Sequence, residues 1–371
     1  MIRTGHLGRV ELFSLIVIAG VSDIFLSFPQ QLVLYGGPAG WMIPLISMLF
    51  SLVVWGIMGP VLARRREGNL VSLSRRYVGG WWAGIVSLLV VIFLLLYTAS
   101  TMRLFTETVI TTVLPKSPIS FVAVPFLLAV VYYAYMGVEG LSRVAWFLTP
   151  WLLIGLVALL ALNGNWVNPE YMFPFWGNGI VNLLIDGASF TGMFINILFL
   201  AILASLLRNP KDSVRIGIWN IVVVGIAYAL VTLVFIMVFS PEAATRSPFP
   251  MYQLGRLIYA GRFIQRLEAA FVFIWVAMAL IKLSLSIWIS SYLIAAASGM
   301  PVYRPLVFPI ALIVYSLSFA VGSFPEMLEW NNLLLRRSWT VVIGLPLLTL
   351  VWVRFKNRKG ETDHEQPSQT S

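Results

Sequence analysis

What most limits the folds open to this chain is the recurrence of long apolar runs. A helix needs about 20 mostly apolar residues to cross the hydrocarbon core of a bilayer, and ten segments of that order follow one another: Leu12–Leu34, Trp41–Leu62, Trp81–Glu107, Ile119–Met136, Val144–Leu162, Leu183–Leu206, Ile216–Phe239, Ala269–Ala297, Leu306–Val321 and Trp339–Val353. The runs are continuous rather than alternating, which predicts helices and excludes an outer-membrane barrel. Composition agrees: 59% of the 371 residues are hydrophobic and 11% charged, whereas a soluble domain holds about a quarter charged residues. The expected class is an all-α integral membrane protein with ten transmembrane helices.

Lys and Arg gather on the cytoplasmic side of such proteins. Placing both termini inside puts Arg3, Arg9, Arg64, Arg65, Arg66, Arg75, Arg76, Arg143, Arg208 and the basic tail together, with a minority outside that includes Arg336 and Arg337 between the last two spans. The net charge of +10 is therefore read as loop bias and not as a nucleic-acid surface. The permease-like domain is expected over residues 1–356 and a disordered cytoplasmic tail over 357–371. Two outer connections are long: Asn163–Gly179, rich in Trp, Tyr, Phe and Pro, and Ser240–Glu268, with an amphipathic stretch from Met251 to Tyr259. Each reads as an interfacial anchor or a lid.

The first run is interrupted by "GVSD" and then Pro29, and the sixth by "GASFTGMF". Ten helices divide into two halves of five, which would be inverted relative to each other, and spans one and six would then correspond. Paired interruptions at matching positions point to a midplane binding site, because unwound backbone must find partners. The alternative is that Gly and Ser permit close helix packing and Pro a kink.

Two charges fall deep inside spans. Asp23 stands 11 residues past Leu12, about 16 Å in, and Lys282 stands 13 residues past Ala269, about 20 Å in from the other face. A lone charge there costs several kcal/mol or more. Either the two approach each other, or a shared ligand, across a central cavity, or one is neutral and bonds backbone. Arg103 and Glu107, four residues apart near the end of span three, read as a structural ion pair, with Glu268 in the same rim network. Tyr97 and Phe93 are candidates for an aromatic wall on the cavity. Ser189 and Thr191 are candidate ligand contacts, although such hydroxyls commonly bond their own helix.

No cysteine is present, and the two histidines, His6 and His364, lie near the ends. Thiolate chemistry, a histidine metal site and a Ser/His/Asp triad are set aside. No cofactor or metal is called for, and the chain is not expected to be an enzyme.

The stretches "FLSFP" ending span one, "MRLFTE" closing span three, "SFTGM" in span six and "FIQRLEAAFVFIW" leading into span eight together resemble the spore germination permeases. These are the B subunits of germinant receptors, a branch of the amino acid/polyamine/organocation transporter superfamily. The resemblance covers about residues 8 to 355. It implies two inverted five-helix repeats with broken helices one and six, a LeuT-like fold. It also implies a small nutrient, often an amino acid, bound between the breaks with help from spans three and eight. Carried over, the breaks fall on Gly20, Val21, Ser22 and Asp23 and on Ser189, Thr191 and Gly192, with Ile281 or Lys282 as the span-eight position near the ligand. Implied partners are a receptor A subunit and a C-subunit lipoprotein, in the spore inner membrane. The chain departs from that family by carrying an acid and a base, Asp23 and Lys282, where small residues are usual. A free-standing, proton-coupled amino acid or amine transporter is the alternative function.

Overall fold

The computed structural model describes residues 5–63, 70–258, 267–349 and 351–352. Fifteen α-helices follow in order among them: α1 (Arg9–Val21), α2 (Phe28–Gly36), α3 (Met42–Ala63), α4 (Leu70–Tyr77), α5 (Gly80–Thr112), α6 (Ile119–Met136), α7 (Val138–Leu162), α8 (Ile180–Ser189), α9 (Ile195–Leu203), α10 (Asp212–Phe239), α11 (Pro241–Thr245), α12 (Pro250–Leu257), α13 (Leu267–Ala297), α14 (Arg304–Ser318) and α15 (Phe324–Arg337). Seven continuous helical runs are long and apolar enough to cross a membrane, and α1 and α2 form an eighth as a pair bent by 65°.

The last two expected spans take another form. Helix α14 is 15 residues long and ends at Ser318, three residues short of Val321. The tenth run is set off from polar α15 by a turn at Ser338: it is helical from Trp339, passes through a turn of π-helix, Thr340–Gly344, and continues in helical residues 345–349. Arg336 and Arg337 therefore lie inside a helix and not in a connecting loop. The amphipathic stretch expected from Met251 is α12, Pro250–Leu257. Tyr259, the Glu268 side chain and the tail from 353 onward lie outside the described residues.

The distribution of apolar side chains suits lipid. Leu49, Val53 and Ile57 point outward from α3, while Ser47, Ser51, Trp55 and Met58 are buried. On α7, Phe147, Trp151 and Ile154 face out and Ala145, Thr149, Leu152 and Leu156 face in. In water, such outward stripes would be large exposed apolar patches; against acyl chains they are not.

Helices α1, α9 and α13 form the centre. Residues Leu15–Val21 and Ile195–Ala204 are buried almost without exception, and α1 packs on α7, α9, α10 and α13. Around them, α3 lies along α10, and α5 along α13 and α14. At one end, the main chain at Leu7 is strapped to the end of span six: its N–H donates to the Leu206 carbonyl (2.9 Å) and its carbonyl accepts from Arg208 N–H (3.4 Å). The Leu7 side chain is fully buried. At the opposite end lie residues 163–179, α11 and α12, and Gln30 of α2 donates to the Thr245 carbonyl there (2.7 Å). This is called the loop-rich end below.

Candidate functional site

Both interruptions are places where α-helix gives way to a turn of 3-10 helix, but only the first bends its span sharply, by 65°, while the sixth stays one continuous helical run. Helix α1 stops at Val21, and Ser22–Phe25 form one turn of 3-10 helix. Leu26 is then extended, and α2 starts with Pro29 as its second residue, where a missing N–H is harmless. Helix α8 stops at Ser189, Phe190–Met193 form the matching 3-10 turn, and α9 resumes at Ile195. The breaks touch: the Phe28 and Phe190 rings meet edge-on at 6.0 Å.

The freed carbonyls find different partners in the two spans. In span one, the Tyr228 hydroxyl of α10 donates to the Gly20 carbonyl (3.1 Å). Gly20 is needed for that close approach, since a Cβ there would lie 2.7 Å from Val224. In span six the hydroxyls turn inward on their own helix. Ser189 donates to the Asp186 carbonyl (2.9 Å), and Thr191 to the carbonyls of Ala188 and, at 3.3 Å, Gly187. Ser22 likewise reaches back to Ala19, at 3.4 Å. The competing use of such hydroxyls, serving their own backbone, holds for all three.

The buried charges converge. Asp23 sits in the 3-10 turn, Tyr97 midway along α5 and Lys282 midway along α13; all three are buried, Lys282 completely. Lys282 Nζ makes an ion pair with Asp23 Oδ1 and donates to the Tyr97 hydroxyl (2.5 Å), which itself donates to Asp23 Oδ2. The result is a closed triangle of carboxylate, phenol and ammonium. Each side chain comes from a different element, so the triangle ties the span-one break to α5 and α13. In hydrocarbon, either charge alone would be prohibitive, and a pair survives only with further hydrogen bonds; Tyr97 supplies them.

The other candidate residues fall around or beyond this triangle. Phe93 stacks on Tyr97 at 5.9 Å, Ile281 is buried beside Lys282, and Val21 ends the helix before Asp23. Gly192 does not open toward a cavity: it lies under the end of α15, against the Ser338 side chain and the backbone of Leu335 and Trp339. Arg103 and Glu107 pair at 2.8 Å, with the Arg103 guanidinium 4.9 Å from the Phe319 ring centre.

Several polar residues of the core carried no assignment from sequence. Tyr228 reads as one aromatic among apolar neighbours. Asn196 and Asn220, both buried, hydrogen-bond to each other between α9 and α10; two asparagines in the middle of apolar runs were the available signal. The Asp186–Arg336 pair (3.3 Å) joins α8 to α15, and Arg336 lies over the Tyr35 ring at 4.4 Å.

Among the described residues no group of three or more His, Cys, Asp or Glu could hold a metal ion. The fold is that of broken-helix transporters. Mhp1, a nucleobase-cation-symport-1 family transporter solved closed with bromovinylhydantoin, superposes with a TM-score of 0.68 at 12% identity, covering 88% of this chain and 75% of that one. MhsT, solved with L-phenylalanine, gives a TM-score of 0.63 at 14% identity over 95% of this chain and 99% of its own. Curated relatives include spore germination protein KB of Bacillus subtilis, 24% identical over 75% of each chain, and spore germination protein XB of Bacillus anthracis, 23% identical over 88% of this chain and 91% of that one. Residues 6–333 match the family model of the spore germination proteins, and the chain belongs to that family of multi-pass, permease-like membrane proteins.

Proposed function

We propose that this chain is the membrane subunit of a spore germinant receptor, which binds a small amino acid-like nutrient at the level of the two helix breaks and passes a change of state to partner A and C subunits. The expected setting is the spore inner membrane, with both termini cytoplasmic. The observation that carries the reading is the Asp23–Tyr97–Lys282 triangle. It is satisfied as it stands, so a ligand alters the protein only by interacting differently with a second arrangement. A zwitterion has the required chemistry. Its carboxylate replaces Asp23 as the partner of Lys282 and its ammonium replaces Lys282 as the partner of Asp23, leaving no charge unpaired. A ligand with one charge strands the other residue, which is costly in this environment.

The test is made in spores in which the chain is the sensing subunit. Asp23→Asn and Lys282→Met are each expected to abolish nutrient-triggered loss of optical density while the protein still inserts in the membrane. Wild-type dose dependence in both variants would remove the triangle from the sensing mechanism. The transporter fold favours a second reading, proton-coupled uptake of an amino acid or amine. It predicts accumulation of labelled amino acid in proteoliposomes under a proton gradient, which a sensing subunit does not require.

A further inference from the structure

Towards the loop-rich end from the triangle, helix α2 presents polar groups that the fold leaves unused. Gln31 and Tyr35 are four residues apart on one face of the half-helix, and Ser27, four residues before Gln31, is its N-cap. Ser27 and Gln31 are 3% and 5% exposed, yet Ser27 Oγ and both Gln31 amide atoms have no hydrogen-bond partner among the described residues. Tyr35 shows what this face looks at: its hydroxyl accepts from Asn332 Nδ2 of α15 (2.7 Å), and its ring lies under Arg336. The other amide atom of Asn332, Oδ1, is also buried without a partner among the described residues.

Four unpartnered buried polar atoms on α2, its cap and the neighbouring α15 are unusual, because each forfeits the hydrogen bonds it would make in water. Here the donors and acceptors are balanced. Gln31 Nε2 is a donor, Gln31 Oε1 and Asn332 Oδ1 are acceptors, and Ser27 Oγ is either. None carries a charge, so they complement a neutral group that both donates and accepts, and a carboxamide offers both functions. Ser27 and Gln31 are separated by about 6 Å along the helix axis, the scale of an amino acid side chain extending from a backbone held at the triangle.

We propose that Ser27, Gln31 and Asn332 form a specificity subsite for the ligand's side chain, selecting amino acids with a neutral carboxamide side chain, asparagine and glutamine, over apolar isosteres. This rests on the reading of the triangle as the site for the ligand's α-ammonium and α-carboxylate. The physical basis of selection is asymmetric. A carboxamide pairs the orphaned groups, whereas an apolar side chain of equal size buries them permanently unpaired.

The purified full-length protein is titrated with L-asparagine, L-glutamine, L-leucine and L-methionine, and binding is read by isothermal calorimetry and by the ligand-induced rise in melting temperature. Wild type is expected to prefer the carboxamides by about tenfold or more. Gln31→Met, similar in shape, is expected to erase that preference and to melt, without ligand, no lower than wild type, since it removes unpaired groups. Lys282→Met is expected to weaken all four amino acids alike. Equal binding of leucine and glutamine to wild type, an unchanged preference in Gln31→Met, no binding of either carboxamide, or a lower ligand-free melting temperature for Gln31→Met would each overturn the subsite. Selective binding with no response in spores would overturn the sensing role alone and leave the subsite standing.

Discussion

The triangle makes a quantitative demand on stability that a double-mutant cycle can measure. Lys282→Met deletes the ammonium and leaves the Asp23 carboxylate buried with Tyr97 as its donor; Asp23→Asn leaves Lys282 fully buried opposite a neutral amide. Removing one partner of a buried ion pair costs about 3–5 kcal/mol, because the survivor is uncompensated. If the two residues acted independently, the double variant would lose the sum, about 6–10 kcal/mol, more than most chains have to lose. The contact predicts otherwise: with both charges gone nothing is stranded, so the double variant should be no less stable than either single one. The coupling free energy should then be at least the loss in either single variant, about 3–5 kcal/mol, at or above the top of the range for residues in direct contact. Reversible unfolding by SDS in mixed micelles, followed by tryptophan fluorescence, provides the four values. A coupling below about 0.5 kcal/mol would mean that the pair does not hold the break to α13, and the site would have to be rebuilt from other residues.

Two further substitutions test the breaks themselves. Gly192→Ala would place a methyl group 1.7 Å from Ser338 Oγ and 2.8 Å from the Leu335 carbonyl oxygen; it is expected to lower stability by about 1–3 kcal/mol in the same titration, with Ser338→Gly restoring only part, because the backbone obstruction stays. Unchanged stability would show that α15 does not rest on the span-six break. Tyr228→Phe keeps the ring on Phe28 (4.9 Å) but orphans the Gly20 carbonyl, for a loss of about 1–3 kcal/mol; amide exchange at Ile24 and Phe25 should quicken with it, and a silent variant would mean that the carbonyl is served some other way.

How much of this was legible in the sequence depends on the length scale of each signal. The first break was readable because Gly20, Ser22, Asp23 and Pro29 are conspicuous within an apolar run, and depth arithmetic with the cost of a lone charge offered the meeting of Asp23 and Lys282 as one alternative beside a shared ligand or a neutral residue bonded to backbone. Tyr97 was readable only as an aromatic wall. That its hydroxyl closes the triangle depends on the rotation of α5 relative to α13, which hydropathy does not encode. Helix α15 was missed for a chemical reason: Glu326, Glu329, Asn331, Asn332, Arg336 and Arg337 lower its hydropathy to that of a loop, while its structural role is to face polar groups inward. Gln31 escaped notice because one amide near a helix end has nothing unusual about it until its burial is known.

The strap at Leu7 has a mechanical corollary. It joins the chain just before α1 to the chain just after span six through main-chain bonds, which no substitution other than proline removes. The half-helices α1 and α9 are thus fastened at their outlying ends, while at their inner ends the α-helix gives way to the 3-10 turns Ser22–Phe25 and Phe190–Met193. Prising the strap apart forfeits two hydrogen bonds, about 1 kcal/mol each, and re-exposes a buried leucine, about 1.5–3 kcal/mol. Under the proposed sensing role, a ligand at the triangle is therefore expected to displace α2 and α8 before α1 and α9, toward the loop-rich end.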